Sequence, residues 1–179
     1  IHPLGKSPVI TDGRHTIAES GAILEYLVDK YEGFEDEKTR LRPARGTPEF
    51  LQYRYWMHYA EGSAMPSLLL KIVFKQLPAQ GPWLAKPLLK IISKAAGKQF
   101  IDPQIRRHRL FWEQHLAEHA YFAGDQFSTA DIQMIFPLLA AQSPAVEPLF
   151  APKTQAYLEK IRQRPAYQRA MRRGGPIAW

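Results

Sequence analysis

The chain has 179 residues, 45% of them hydrophobic and 23% charged, with a formal net charge of +7 and no cysteine. That composition suits one folded domain or two small ones and excludes a disordered chain. The lack of cysteine excludes a disulfide scaffold, a thiolate zinc site and a cysteine nucleophile within these residues. No apolar run approaches the roughly 20 residues of a membrane span. The chain begins with Ile and its first methionine is Met57, so it is expected either to start upstream or to have lost a segment.

In chain order, Ser7 to Thr11 reads as a short strand, with Asp12-Gly13 as a hairpin dipeptide and Arg14 to Ala18 as the return strand. Glu19-Ser20-Gly21 opens a helix to about Tyr31, with Ile23, Leu24, Leu27, Val28 and Tyr31 on one face. Gly33 to Thr47 is charged, punctuated by Gly33, Pro43 and Gly46, and reads as a linker. Residues 1–47 hold seven basic and eight acidic groups, whereas residues 48–179 hold 17 and nine. The domains are therefore expected to divide near residue 40. Beyond it every element reads as helix: Pro48 to about Gln76, bent or interrupted near Gly62 and Pro66, then Leu88 to Ala96, Pro103 to about Tyr121, Ser128 to about Gln142, Lys153 to Gln163 and Pro165 to Arg173. Phe127-Ser128-Thr129-Ala130-Asp131-Ile132 has the spacing of a capping box. Ser128 and Asp131 would bond reciprocally, flanked by an apolar staple of Phe127 and Ile132.

Several groups invite chemistry. Glu19 and Ser20 at a helix start read either as simple caps or as a clamp for an α-amino acid, Ser20 taking its carboxylate and Glu19 its ammonium. Ser7-Pro8 reads either as an ordinary strand start or as a cis bond that offers the Ser7 backbone to an extended ligand. His115-Leu116-Ala117-Glu118-His119 has zinc-peptidase spacing, with His115 and His119 one helical turn apart; a polar helix face is the preferred reading, and no metal is expected. Lys86, Lys90, Lys94 and Lys98 recur every four residues beside Leu88, Leu89, Ile91 and Ile92. The short helix is expected to pack its apolar side inward, with no membrane partner. Arg106-Arg107-His108-Arg109 and Arg172-Arg173 lack any nucleic-acid recognition motif, so no nucleic acid is expected either. Phe50, Tyr53, Tyr55, Trp56 and Tyr59 crowd one helix, enough for a core face and a ligand or subunit face.

His2-Pro3-Leu4-Gly5-Lys6-Ser7-Pro8-Val9-Ile10, followed by Ala18-Glu19-Ser20-Gly21-Ala22-Ile23-Leu24-Glu25-Tyr26-Leu27, resembles the glutathione-site half of cytosolic glutathione transferases. Ala123-Gly124-Asp125-Gln126-Phe127-Ser128-Thr129-Ala130-Asp131 resembles the family's capping box in its helical domain, and Arg164-Pro165-Ala166-Tyr167 fits the family's ending. The resemblance implies a mainly α chain: a partial thioredoxin-like, glutathione-binding domain over residues 1–40 (a hairpin plus a helix), then an all-α domain over residues 41–179. It implies glutathione as co-substrate, Pro8 as the cis proline, Ser7 pairing with the cysteinyl unit, Glu19 and Ser20 holding the γ-glutamyl head, and Lys6 near the glycyl carboxylate. Tyr53, Met57 and Tyr59 would wall a pocket for a small hydrophobic electrophile. A homodimer, a cytoplasmic location and a role in detoxification are implied too. The strand–helix–strand that opens the family's fold, with its Tyr, Ser or Cys that stabilises the thiolate, has no counterpart here. The activating residue is thus expected upstream, and this chain alone is expected to be inactive or to serve as a glutathione-binding scaffold.

Overall fold

The computed structural model describes residues 2–32 and 40–175. Residues 33–39, the first part of the expected linker, lie outside the described residues. The chain divides into two compact units: Ile1–Tyr59 with Tyr121–Met134, and Ala60–Ala120 with Ile135–Trp179.

In the first unit, β1 (Val9–Asp12) pairs antiparallel with β2 (His15–Ala18), Val9 opposite Ala18 and Asp12 opposite His15. The β-branched residues Val9, Ile10, Thr11, Thr16 and Ile17 suit a pleated ribbon. The connecting loop is Gly13-Arg14, and Gly13 takes φ 58°, a left-handed conformation that glycine adopts without a Cβ clash. Helix α1 (Ser20–Tyr31) buries Ile23 and Val28. Asp12, at the far end of the hairpin, fastens it to the last turns of α1. Its carboxylate accepts from the Tyr26 hydroxyl at 2.8 Å, the Lys30 ammonium at 2.5 Å and the Tyr31 hydroxyl at 2.5 Å. These donors, Lys30 foremost, hold the Asp12 carboxyl well below the usual carboxylate range.

Helix α2 (Pro48–Tyr59) starts at Thr47, whose hydroxyl accepts from the Phe50 amide at 3.2 Å. Its buried residues are Tyr53, Trp56, Met57 and Tyr59. Trp56 meets the Phe122 ring at a centroid distance of 4.7 Å and Tyr59 at 4.9 Å. Helix α6 (Thr129–Ala140) begins inside this unit, and its Thr129 amide donates to the Leu41 carbonyl at 2.8 Å. Buried Asp131 organises the turn before it, accepting from the amides of Phe122 at 2.9 Å and Ser128 at 2.8 Å. The Ser128 hydroxyl also donates to that carboxylate, at 3.1 Å. The Asp131 amide, expected to donate to this hydroxyl, donates to the Ser128 carbonyl at 3.1 Å. Phe127 sets its ring edge-on to Tyr121, and Ile132 is 38% exposed. Gly124 has φ 107°, and a Cβ there would stand 3.2 Å from Glu49 Cγ, so the turn demands glycine.

The second unit is all helical among its described residues. A π-helical turn (Ala60–Ala64) leads to α3 (Met65–Gln80), a 3-10 turn (Trp83–Ala85), α4 (Lys86–Ala96), a second π-helical turn (Gly97–Ile101) and α5 (Asp102–Glu118). Beyond α6 lie α7 (Pro152–Arg162) and α8 (Pro165–Gly174). The bend or interruption expected near Gly62 and Pro66 takes the form of a slip in the hydrogen-bond ladder, and α3 continues past Gln76 through Pro78. The core here holds Leu68, Ile101, Ile105, Trp112, Leu116, Leu158 and Ile161. Lys71 and Asp102 pair at 2.5 Å between α3 and α5. Glu113 of α5 caps α7, its carboxylate accepting from the amides of Lys153 at 2.7 Å and Thr154 at 2.9 Å. The expectation that α4 packs its apolar side inward holds only in part: none of its residues is buried, Leu89 is half-buried, and Leu88, Ile91 and Ile92 are exposed.

Candidate functional site

The hairpin register places the site. Val9 lies opposite Ala18, so the residues just before Val9 and those just after Ala18 share one end of the ribbon. Lys6, Ser7 and Pro8 approach that end from one strand, and Glu19 and Ser20 leave it from the other. The Ser7–Pro8 peptide bond is cis. Lys6 and Ser7 are exposed, as is Glu19, while Ser20 is half-buried.

Glu19 has φ 71° and ψ 122°. A positive φ is uncommon for any residue with a Cβ and costs on the order of 1–3 kcal/mol, and such strain concentrates where a ligand must be met. The Glu19 side chain does not cap α1, although its carbonyl accepts the amide of Ile23 at 2.9 Å. Its carboxylate is exposed to solvent. The reading of Glu19 as a mere side-chain cap is therefore not what the geometry shows. The first turn of α1 contains no acidic residue, so the partial positive charge of its amides is not neutralised from within the helix.

Ser20 is held by a residue the sequence did not suggest. Buried Gln133, on α6, donates from Nε2 to the Ser20 hydroxyl oxygen at 2.8 Å. With that lone pair occupied, the hydroxyl proton is directed elsewhere, which suits Ser20 to donate to an anion. The two residues lie 113 positions apart, and no local pattern connects them.

The residues expected to wall an electrophile pocket sit deeper. Tyr53 is 1% exposed, Met57 5% and Tyr59 8%. The Tyr53 hydroxyl is bonded to the Thr129 hydroxyl at 2.9 Å, and burial holds its phenol above the ordinary value. Tyr59 meets Trp56 edge-on, and the Met57 methyl lies 4.0 Å from where a Cβ on Gly21 would stand. All three side chains are buried.

His115 and His119 have ring centroids 4.6 Å apart, but α5 ends at Glu118 and His119 has extended backbone. Among the described residues no cluster of three or more His, Asp or Glu is arranged to hold a metal ion.

Against known proteins, the glutathione S-transferase N-terminal domain matches residues 1–29 and the C-terminal domain residues 92–165. Glutathione S-transferase 3 of Schizosaccharomyces pombe is 30% identical over 167 residues, covering 93% of this chain and 66% of that protein. Glutathione S-transferase 3 of Zea mays is 30% identical over 178 residues, covering 96% and 72%. A glutathione S-transferase structure from Actinobacillus pleuropneumoniae superposes with a TM-score of 0.73 at 28% identity, over 96% of this chain and 70% of that one. The theta-class glutathione S-transferase of Xanthomonas axonopodis pv. citri, solved with glutathione bound, gives 0.66 at 25% identity, over 93% and 72%. The chain belongs to the glutathione S-transferase family. Its hairpin and α1 are accordingly part of a thioredoxin-like domain, followed by the family's all-α domain.

Proposed function

We propose that this chain binds glutathione at the end of the hairpin and serves a transferase that joins the glutathione sulfur to a hydrophobic electrophile. The observation that carries the reading is Glu19 in its strained conformation beside Ser20, at the same end of the ribbon as Ser7 and Pro8. The γ-glutamyl carboxylate would sit at the start of α1, bonded by Ser20, with the ammonium on Glu19. The Ser7 backbone would pair with the cysteinyl unit, and Lys6 would face the glycyl carboxylate. In the reaction the thiolate sulfur forms a bond to the electrophilic carbon, and the leaving group departs with its electron pair. The thiol must first lose its proton, and the donor that favours the thiolate belongs to the strand–helix–strand that opens the family's fold. The domain division at residues 1–40 and 41–179, a homodimer, a cytoplasmic location and a detoxifying role belong to the same reading. A non-catalytic glutathione-binding protein would share the binding step and lack the conjugation.

Calorimetric titration with glutathione tests it. Glu19→Ala and Ser20→Ala should each weaken binding by roughly tenfold, the worth of one hydrogen bond to a charged group. Undiminished affinity in both variants would overturn the site. Conjugation of an aromatic chloride by protein carrying that opening segment separates the transferase from the binding protein.

A further inference from the structure

The α3–α4 hairpin in the second unit carries an unusual surface. From Gly62 to Ile101 there is no acidic residue, yet there are six lysines. Trp83 is 76% exposed and Leu84 74% at the tip between the helices, and Leu88, Ile91 and Ile92 of α4 are exposed as well. At about 100° per residue, Leu88, Ile91, Ile92 and Ala95 share one stripe of α4. Leu89, Ser93 and Ala96 lie about 120° round the helix from that stripe and are the less exposed residues of the helix. Lys86, Lys90, Lys94 and Lys98, all exposed, run along the flank between these two faces. The helix thus has an inward face, an uncovered apolar face and a cationic border. Further positive charge lies alongside. Lys94 and Lys98 line a cavity of about 730 Å³ together with Arg106 and Arg107 of α5, where the cations outnumber the carboxylates of Asp102 and Glu147.

We propose that this hairpin docks on an anionic lipid surface, with the apolar stripe of α4 and the Trp83-Leu84 tip entering the headgroup boundary and the lysines meeting lipid phosphates. An amphipathic helix with a basic border and an aromatic end is the form that lies in such an interface. Lysine stems can reach along the apolar surface and leave their ammonium groups among the headgroups. Charge complementarity selects this occupant. A second copy joined through the same face by a two-fold axis would bring two all-cationic hairpins together with no carboxylate on either to offset them. The inference is independent of glutathione binding, which concerns the other unit.

The test is co-sedimentation of the purified chain with vesicles of phosphatidylcholine alone and with about 30% phosphatidylserine, at about 0.1 M salt. Binding should be at least about tenfold stronger to the anionic vesicles and should fall steeply as salt rises. The double variants Leu88→Asp/Ile91→Asp and Lys90→Glu/Lys94→Glu should each lose at least about tenfold, with unchanged circular dichroism because all four side chains are exposed. Brominated lipid should quench emission from the native chain more than from Trp83→Phe. Equal sedimentation with neutral vesicles would overturn the proposal, as would variants that bind as the native chain does. So would light scattering that shows a lipid-free dimer which Ile91→Asp turns to monomer, for the face would then belong to a second copy.

Discussion

Replacing Asp131 by asparagine removes a charge and almost no volume, so the effect reads the hydrogen bonds alone. One carboxylate oxygen accepts from the Phe122 amide, and the other from the amide and hydroxyl of Ser128, at 2.8 to 3.1 Å. In the Asp131→Asn variant one oxygen remains and the other position becomes an NH2 group facing a donor. The Ser128 hydroxyl can rotate and accept from it. A backbone amide cannot, and one buried N–H is left without its acceptor. An unsatisfied buried donor costs about 1–3 kcal/mol, and the remaining bond falls from charge-assisted to neutral, about 1 kcal/mol less. The sum is about 2–4 kcal/mol, a large share of the roughly 5–15 kcal/mol that holds a domain folded. Urea unfolding followed by circular dichroism measures it, as a lower midpoint at unchanged slope. A loss under about 1 kcal/mol at unchanged slope would refute the claim that this carboxylate organises the turn before α6.

Three further outcomes follow from the same structure. Gln133→Ala should weaken glutathione about three- to tenfold by releasing the Ser20 hydroxyl, measured by calorimetry, while leaving Glu19 untouched. Glu113→Ala should cost about 1–2 kcal/mol in thermal unfolding, because it strips the amides of Lys153 and Thr154 of their carboxylate cap at the start of α7. Burial pushes the His108 imidazole below its ordinary value of 6.5. The unfolded chain then binds the proton more readily than the folded one, so this group's share of stability is full above pH 6.5 and is lost as pH falls through the folded value. His108→Gln should flatten the decline in urea midpoint on acidification below about pH 6.5, and an unchanged decline would sink the assignment.

The local architecture was legible because it is written in short-range pattern. The β-branched run around Asp12-Gly13 gives the hairpin, and the spacing of Ile23 and Val28 gives the buried side of α1. What escaped is long-range or relational. Gln133 reaches Ser20 across 113 positions, and Glu113 caps a helix some 40 residues away, so neither leaves a trace in neighbouring residues. Amphipathicity identified the apolar stripe of α4 but says nothing of whether another element covers it, and none of its residues is buried. Spacing alone put His119 on the helix face of His115, whereas α5 ends one residue earlier.

The most direct test of the glutathione site is a heteronuclear NMR titration of the chain with glutathione. The account predicts shifts at the amides of Lys6, Ser7, Glu19, Ser20 and Gly21 and at the side-chain NH2 of Gln133, whose resonance reports on the Ser20 hydroxyl. Shifts confined to other regions, with these signals still at saturating glutathione, would contradict it.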